Sequence, residues 1–158
     1  DATEYFIKKG CKRIAFIGGT KRLFVTQDRL TGYESALKQH QLPIDTNLIY
    51  FATEFLEEKG YQFSELLFNH DPQIDAIITT DSLLAEGACD YIAKHKLDVP
   101  VLSFDSVNPR LDLVAYVDIN SLELGRVSFE TILQIINDAK NNKQICYRQL
   151  IGHKIIEK

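Results

Sequence analysis

Arg29, Phe55, Thr80, Asp81 and Asp105 are the side chains of this sequence whose types and positions can do chemistry together. A guanidinium offers a planar fork of donors, carboxylates accept hydroxyl protons on both oxygens, and an aromatic ring presents an apolar face. That set suits a hydroxyl-rich small molecule held in a cleft. Other chemistry stays open for the same residues. Asp81 and Asp105 can hold a divalent cation or work as an acid/base pair. Asp81 or Ser82 can cap the helix that follows. Arg29 can stand in solvent beside Asp28 or Glu34, and Phe55 can be an ordinary core aromatic.

The elements that position these residues are legible from apolar patterning. Ala76–Ile78 is a short apolar run that reads as a buried parallel strand, and Leu84, Ala85 and Ala88 resume at helical spacing after a polar break at 79–82. In open α/β sheets ligands sit just beyond the carboxyl ends of strands, where helix amino termini point inward. Thr80-Asp81 is therefore a candidate binding edge. Further strands are expected at Arg13–Gly18, Leu48–Ala52, Val99–Phe104 and Leu113–Val117, with Asp105 closing the fourth of the five.

Helices are expected at 1–10, at Gln27–His40 with Leu30, Tyr33 and Leu37 on one stripe, around Tyr61–Leu67, through Lys94, and from Ser121 to Lys140. The last carries an apolar sector so wide that burial on more than one side is expected. Cys146–Ile151 and Lys154–Ile156 read as extended. Strands alternating with helices mean an α/β fold, a mostly parallel sheet with helices on both faces and right-handed crossovers.

At 158 residues, 45% hydrophobic and 25% charged, the chain has the size and composition of one folded domain. A net charge of -4 argues against a nucleic-acid-binding surface on this segment. Cys11, Cys89 and Cys146 lack disulfide-framework or zinc spacing, which fits a reducing cytoplasm. No membrane-length apolar run is present, and no metal or cofactor is expected. Gly18-Gly19-Thr20 follows the first strand without the further glycines of a dinucleotide fingerprint or the GK[ST] of a phosphate loop. A phosphoryl-accepting receiver would want acidic residues where Gly18-Gly19 stand. The four histidines are scattered and lie beside no nucleophile in a recognised motif, so catalysis is not expected.

Taken in order, KKGCKRIAFIGG (8–19), DRLTGYESAL (28–37), DAIITTDSLLAEGA (75–88), VPVLSFDS (99–106) and ELG (123–125) resemble the effector-binding core of the LacI/GalR family of bacterial transcriptional regulators, which shares its periplasmic binding protein-like type I fold with periplasmic sugar-binding proteins. The resemblance implies a two-lobed sensor with its effector between an N-subdomain and a C-subdomain, contacted by Arg29, Phe55, Thr80, Asp81 and Asp105. Ser103 and Ser106 depart from the family's pattern in VPVLSFDS (99–106), as does Asp118–Asn120 after the next strand. The implied partners are a small sugar or sugar phosphate, a second copy of the chain paired through the helix around Leu83–Ile92, and operator DNA, reached only through a headpiece outside the segment. On this reading residues 1–158 are a partial effector-binding and dimerisation domain, with 1–10 and about 119–142 belonging to the N-subdomain and the rest mainly to the C-subdomain. The abrupt opening on a helix with no preceding strand points to a segment of a longer polypeptide. Two alternatives remain: a periplasmic sugar-binding protein of a transporter, and a regulator controlled by a phosphocarrier protein.

Overall fold

A computed structural model describes residues 1–105 and 108–158. Ser106, the last residue of the expected strand-end segment, lies outside the described residues. The elements run α1 (Ala2–Lys8), β1 (Ile14–Gly18), α2 (Phe24–Gln39), a 3-10 turn (Thr46–Leu48), β2 (Ile49–Phe51), α3 (Glu57–His70), β3 (Ala76–Thr79), α4 (Ser82–His95), β4 (Val101–Phe104), β5 (Ala115–Asp118), α5 (Ser121–Lys140) and β6 (Lys154–Glu157). The chain divides into two compact units, residues 1–117 with 155–158, and residues 118–154.

In the first unit the strand order is β2-β1-β3-β4-β5-β6, and the pairs from β2 through to β5 are parallel. The chain leaves β1 for β2 on one side and returns to β3 on the other. That reversal is a topological switch point, and it opens a crevice between the carboxyl ends of β1 and β3.

Strand alternation sorts the core into two faces. Ala15, Ile17, Ile77 and Val101 face α3 and α4, joining Leu67, Leu84, Ala85 and Ala88 in one buried cluster. Phe16 faces the other way and packs on Tyr33 of α2, ring centroids 5.3 Å apart, with Phe51 at 6.1 Å. The buried Tyr33 hydroxyl donates to the Ile14 carbonyl at 2.8 Å, fixing α2 against β1. At the opposite, amino-terminal end of the sheet, Asp75 accepts from the Lys12 and Arg13 N–H groups at 2.7 and 2.9 Å, while Arg13 bridges Asp71 and Asp45. These contacts close the end of the sheet away from the crevice.

Three expectations need correction. Helix α2 starts at Phe24, three residues before Gln27, because its N-cap is Leu23, which makes no side-chain cap and so leaves no sequence signal. Cys146–Ile151 forms no strand. A strand needs a ladder partner, and the second unit contains α5 but no sheet to supply one. Finally, α5 is not buried on several sides. Asp138 is its only buried residue, while Leu122, Phe129, Ile132 and Leu133 are more than half exposed. Asp138 accepts from the Tyr147 hydroxyl, which pins the segment after α5 back onto the helix.

Candidate functional site

The carboxyl ends of β1 to β4 and the helix starts beyond them bring the expected residues to one edge of the first unit. Arg29 lies in the second turn of α2, where its guanidinium reaches across the switch point. Its Nη1 donates to the Thr80 carbonyl at 2.6 Å, and its Cζ lies 4.2 Å from the centre of the Phe104 ring. The guanidinium is thus oriented by a carbonyl and a π-face, and not by Asp28 or Glu34. Burial pulls its pKa down, and the nearby charges of Asp105 and then Asp81 pull the other way.

Thr80 is 2% exposed, and its hydroxyl oxygen accepts from the Gly19 N–H at 2.8 Å. Its side chain holds Gly19 and its carbonyl holds Arg29. Asp81 is the N-cap of α4, accepting from the Leu84 N–H through Oδ1 at 3.0 Å. Its second oxygen, Oδ2, is buried without a hydrogen-bond partner. Buried carboxylate oxygens are rarely left so, and a ligand hydroxyl beside Arg29 would satisfy this one. Capping and ligand contact are therefore compatible here, one oxygen for each.

Asp105 follows β4 with φ at +60°, a left-handed conformation that Asp tolerates better than most residues. Its N–H donates to the Val117 carbonyl at 3.1 Å, which ties this turn to β5. Phe55, between β2 and α3, is 37% exposed, and a methyl added at Gly19 would fall 2.1 Å from its ring. Gly19 is thus the seat on which the ring lies. The two loops are joined again where the Thr20 hydroxyl donates to the Thr53 carbonyl at 2.9 Å.

Sequence reading missed two of these parts. Phe104 reads as the end of a core strand, because its use as a face for Arg29 depends on the pairing of β4 with β3 and of β3 with β1. Gly19 does carry a signal as a point of close approach, but the group that approaches is the Phe55 ring of the same chain. Among the described residues no group of His, Cys, Asp and Glu is placed to hold a metal ion, and no helix is long and apolar enough to cross a membrane.

The Asp81 carboxyl is raised above its ordinary range, chiefly by burial, against the opposing N–H groups of Leu84 and Leu83, the charge of Arg29 and the Thr80 hydroxyl. A raised pKa in the folded state carries no penalty below the unfolded pKa; the penalty grows as pH rises through the interval and is full above it. Asp81→Asn keeps the cap and removes that penalty. Urea unfolding at pH 7 is expected to find the Asn variant at least as stable as wild type, with the difference shrinking at pH 3. Asp81→Ala, which loses the cap, should be less stable by about 0.5–2 kcal/mol. An Asn variant that is clearly weaker at pH 7 would contradict this account.

Comparison with known proteins places this edge in a wider setting. A family model of the periplasmic binding protein-like domain matches residues 3–152. The HTH-type transcriptional regulator MalR of Streptococcus pneumoniae is 84% identical over 158 residues, all of this chain and 48% of the relative. A solved Bacillus cereus subsp. cytotoxis structure, described as a transcriptional regulator LacI, superposes with a TM-score of 0.88 at 30% identity, over 99% of this chain and 57% of the other. The transcriptional regulator CelR in complex with cellobiose shares the fold, with a TM-score of 0.86 at 21% identity, over 98% of this chain and 48% of the other. The chain spans about half the length of the curated relatives it matches, among them the HTH-type transcriptional regulators MalR and RegA. The chain belongs to the periplasmic binding protein-like domain family.

Proposed function

We propose that this segment is the effector-sensing part of a cytoplasmic, homodimeric LacI-type regulator, and that its ligand is a neutral saccharide bound against Arg29, Phe55, Asp81 and Asp105, with Thr80 positioning them. The observation that supports this reading is the gathering of one guanidinium and two carboxylates at the strand ends: Arg29 feels the charges of Asp105 and Asp81, and Asp81 caps α4 through Oδ1 alone, leaving Oδ2 outside the cap. One donor fork opposite two carboxylates matches vicinal hydroxyls, which donate and accept at once. A phosphate would meet the two carboxylates as like charges, so a free sugar fits this edge better than a sugar phosphate or a phosphocarrier protein. That CelR holds cellobiose on the same fold supports the capacity of the architecture for sugars.

In this reading the edge is one wall of the effector site, and polypeptide outside this chain supplies the other wall and the DNA-binding headpiece. Bound sugar stabilises one arrangement of the walls over another, and that difference changes operator affinity. The test is fluorescence anisotropy of a labelled operator duplex with the full-length regulator, adding glucose, galactose, lactose, maltose or cellobiose. A saturable change in DNA affinity with at least one of them is expected. No change with any of them would contradict the proposal.

The pairing surface proposed for the homodimer is α4, where Leu83 is 43% exposed despite its apolar side chain. Leu83→Asp is expected to convert dimer to monomer in sedimentation velocity. An acidic residue in the first turn of a helix is favourable, so the variant should stay folded. A dimer that survives the substitution would remove α4 from the interface.

A further inference from the structure

We infer that Gly60 and Gly87 are positioning residues: the backbone-to-backbone crossing they allow between α3 and α4 sets the spacing between Phe55 and Asp81. This inference rests on the saccharide reading above. A methyl added at Gly87 would fall 1.8 Å from the Glu57 carbonyl oxygen and 2.5 Å from the Tyr61 nitrogen, and one added at Gly60 would fall 2.1 Å from the Leu84 carbonyl oxygen. All three obstacles are main-chain atoms, so no rotamer change relieves the clash. The helices would have to part by roughly 1.5 Å to restore ordinary contact near 3.5 Å. A glycine inside a helix disfavours it by about 1 kcal/mol relative to alanine. Two facing glycines therefore call for a reason, and close approach is the one on view.

The turns that touch are also the turns that hold the site. Glu57 is the first residue of α3, two after Phe55, and Leu84 is the residue whose N–H is capped by Asp81. At the other end the Phe55 ring rests on Gly19, and the Gly19 N–H donates to Thr80, next to Asp81. Asp81, Thr80, Gly19, Phe55, α3 and α4 thus form a closed ring of contacts. A displacement at the glycine crossing cannot be absorbed inside the ring without moving the aromatic face, the carboxylate, or both. Phe55 and Asp81 come from different loops, and the crossing is what makes their separation a fixed property of the fold.

The test compares Gly87→Ala and Gly60→Ala with Phe6→Leu in the full-length regulator. Phe6 is fully buried in α1, away from the crossing, and serves as a control whose loss of thermal midpoint does not involve α3 or α4. Affinity is measured by calorimetry at a temperature where each protein is folded, using whichever of glucose, galactose, lactose, maltose and cellobiose binds wild type. The glycine variants are expected to bind at least about tenfold more weakly, and Phe6→Leu within about twofold of wild type. Equal effects in all three, or unchanged affinity in the glycine variants, would overturn the inference while leaving the saccharide reading in place.

A second measurement uses wild type alone, in case the glycine variants do not fold. Hydrogen exchange should show the amides of residues 60–64 and 87–91 gaining protection together when the sugar binds. No gain at either helix, or gain at one only, would overturn the inference. Failure of wild type to bind any of these sugars would overturn the functional reading, and this inference with it.

Discussion

Arg29→Ala is expected to abolish effector binding while leaving the protein folded. A hydrogen bond from a charged donor is worth about 1.5–3 kcal/mol, and each 1.4 kcal/mol is a factor of ten in affinity. Losing two such bonds from the fork should weaken the sugar by at least about 100-fold in calorimetric titration. The structural consequence is smaller. Arg29 is partly exposed, and its removal withdraws one donor from the Thr80 carbonyl and one cation from the Phe104 ring. A stability loss of about 1–2 kcal/mol covers both. Arg29→Lys should not restore binding, because an ammonium lacks the planar fork and carries its donors on a single nitrogen. Normal sugar affinity in Arg29→Ala would remove the residue from the site.

Phe16→Ala is expected to have the largest effect on the fold itself, a loss of about 3–5 kcal/mol in urea unfolding with little change in the denaturant slope. The ring is 1% exposed between Tyr33 and Phe51, and it packs under Gly18 at the end of β1. Stabilities of whole domains are only about 5–15 kcal/mol, so the substitution removes a large part of the total. It also loosens the strand end on which Gly19 and the Phe55 ring depend. A loss below about 1 kcal/mol would mean that α2 is held to the sheet by something other than this aromatic contact.

What the sequence allowed and what it hid follow from the range of the interactions concerned. The parallel α/β fold was legible because the central strands Ile14–Gly18 and Ala76–Thr79 are short, largely apolar runs buried on both faces, and helical spacing resumes between the strands. Arg29, Asp81 and Asp105 were legible as site candidates because each stands where a strand end or helix start would place it. The strand order was not legible, since the pairing of β1 with both β2 and β3 is a contact between distant segments, and so the switch point that gathers these residues appeared only in the structure. Gly60 and Gly87 were hidden for the same reason: each looks like a weak spot in its own helix until the facing helix is present. The apolar width of α5 was read as burial, but amphipathicity records only that a face is suited to a partner. Leu122 is 88% exposed and Phe129 63% exposed.

The measurement closest to the central claim is a paired calorimetric titration of the full-length regulator with glucose, galactose, lactose, maltose and cellobiose, and with glucose 6-phosphate as the anionic counterpart. The site predicts that at least one neutral sugar binds with one equivalent per chain, that glucose 6-phosphate binds at least about tenfold more weakly than that sugar, and that Arg29→Ala removes the neutral sugar's signal. Tight binding of the phosphate with none of the neutral sugars would contradict the account, because two carboxylates facing one guanidinium should repel it.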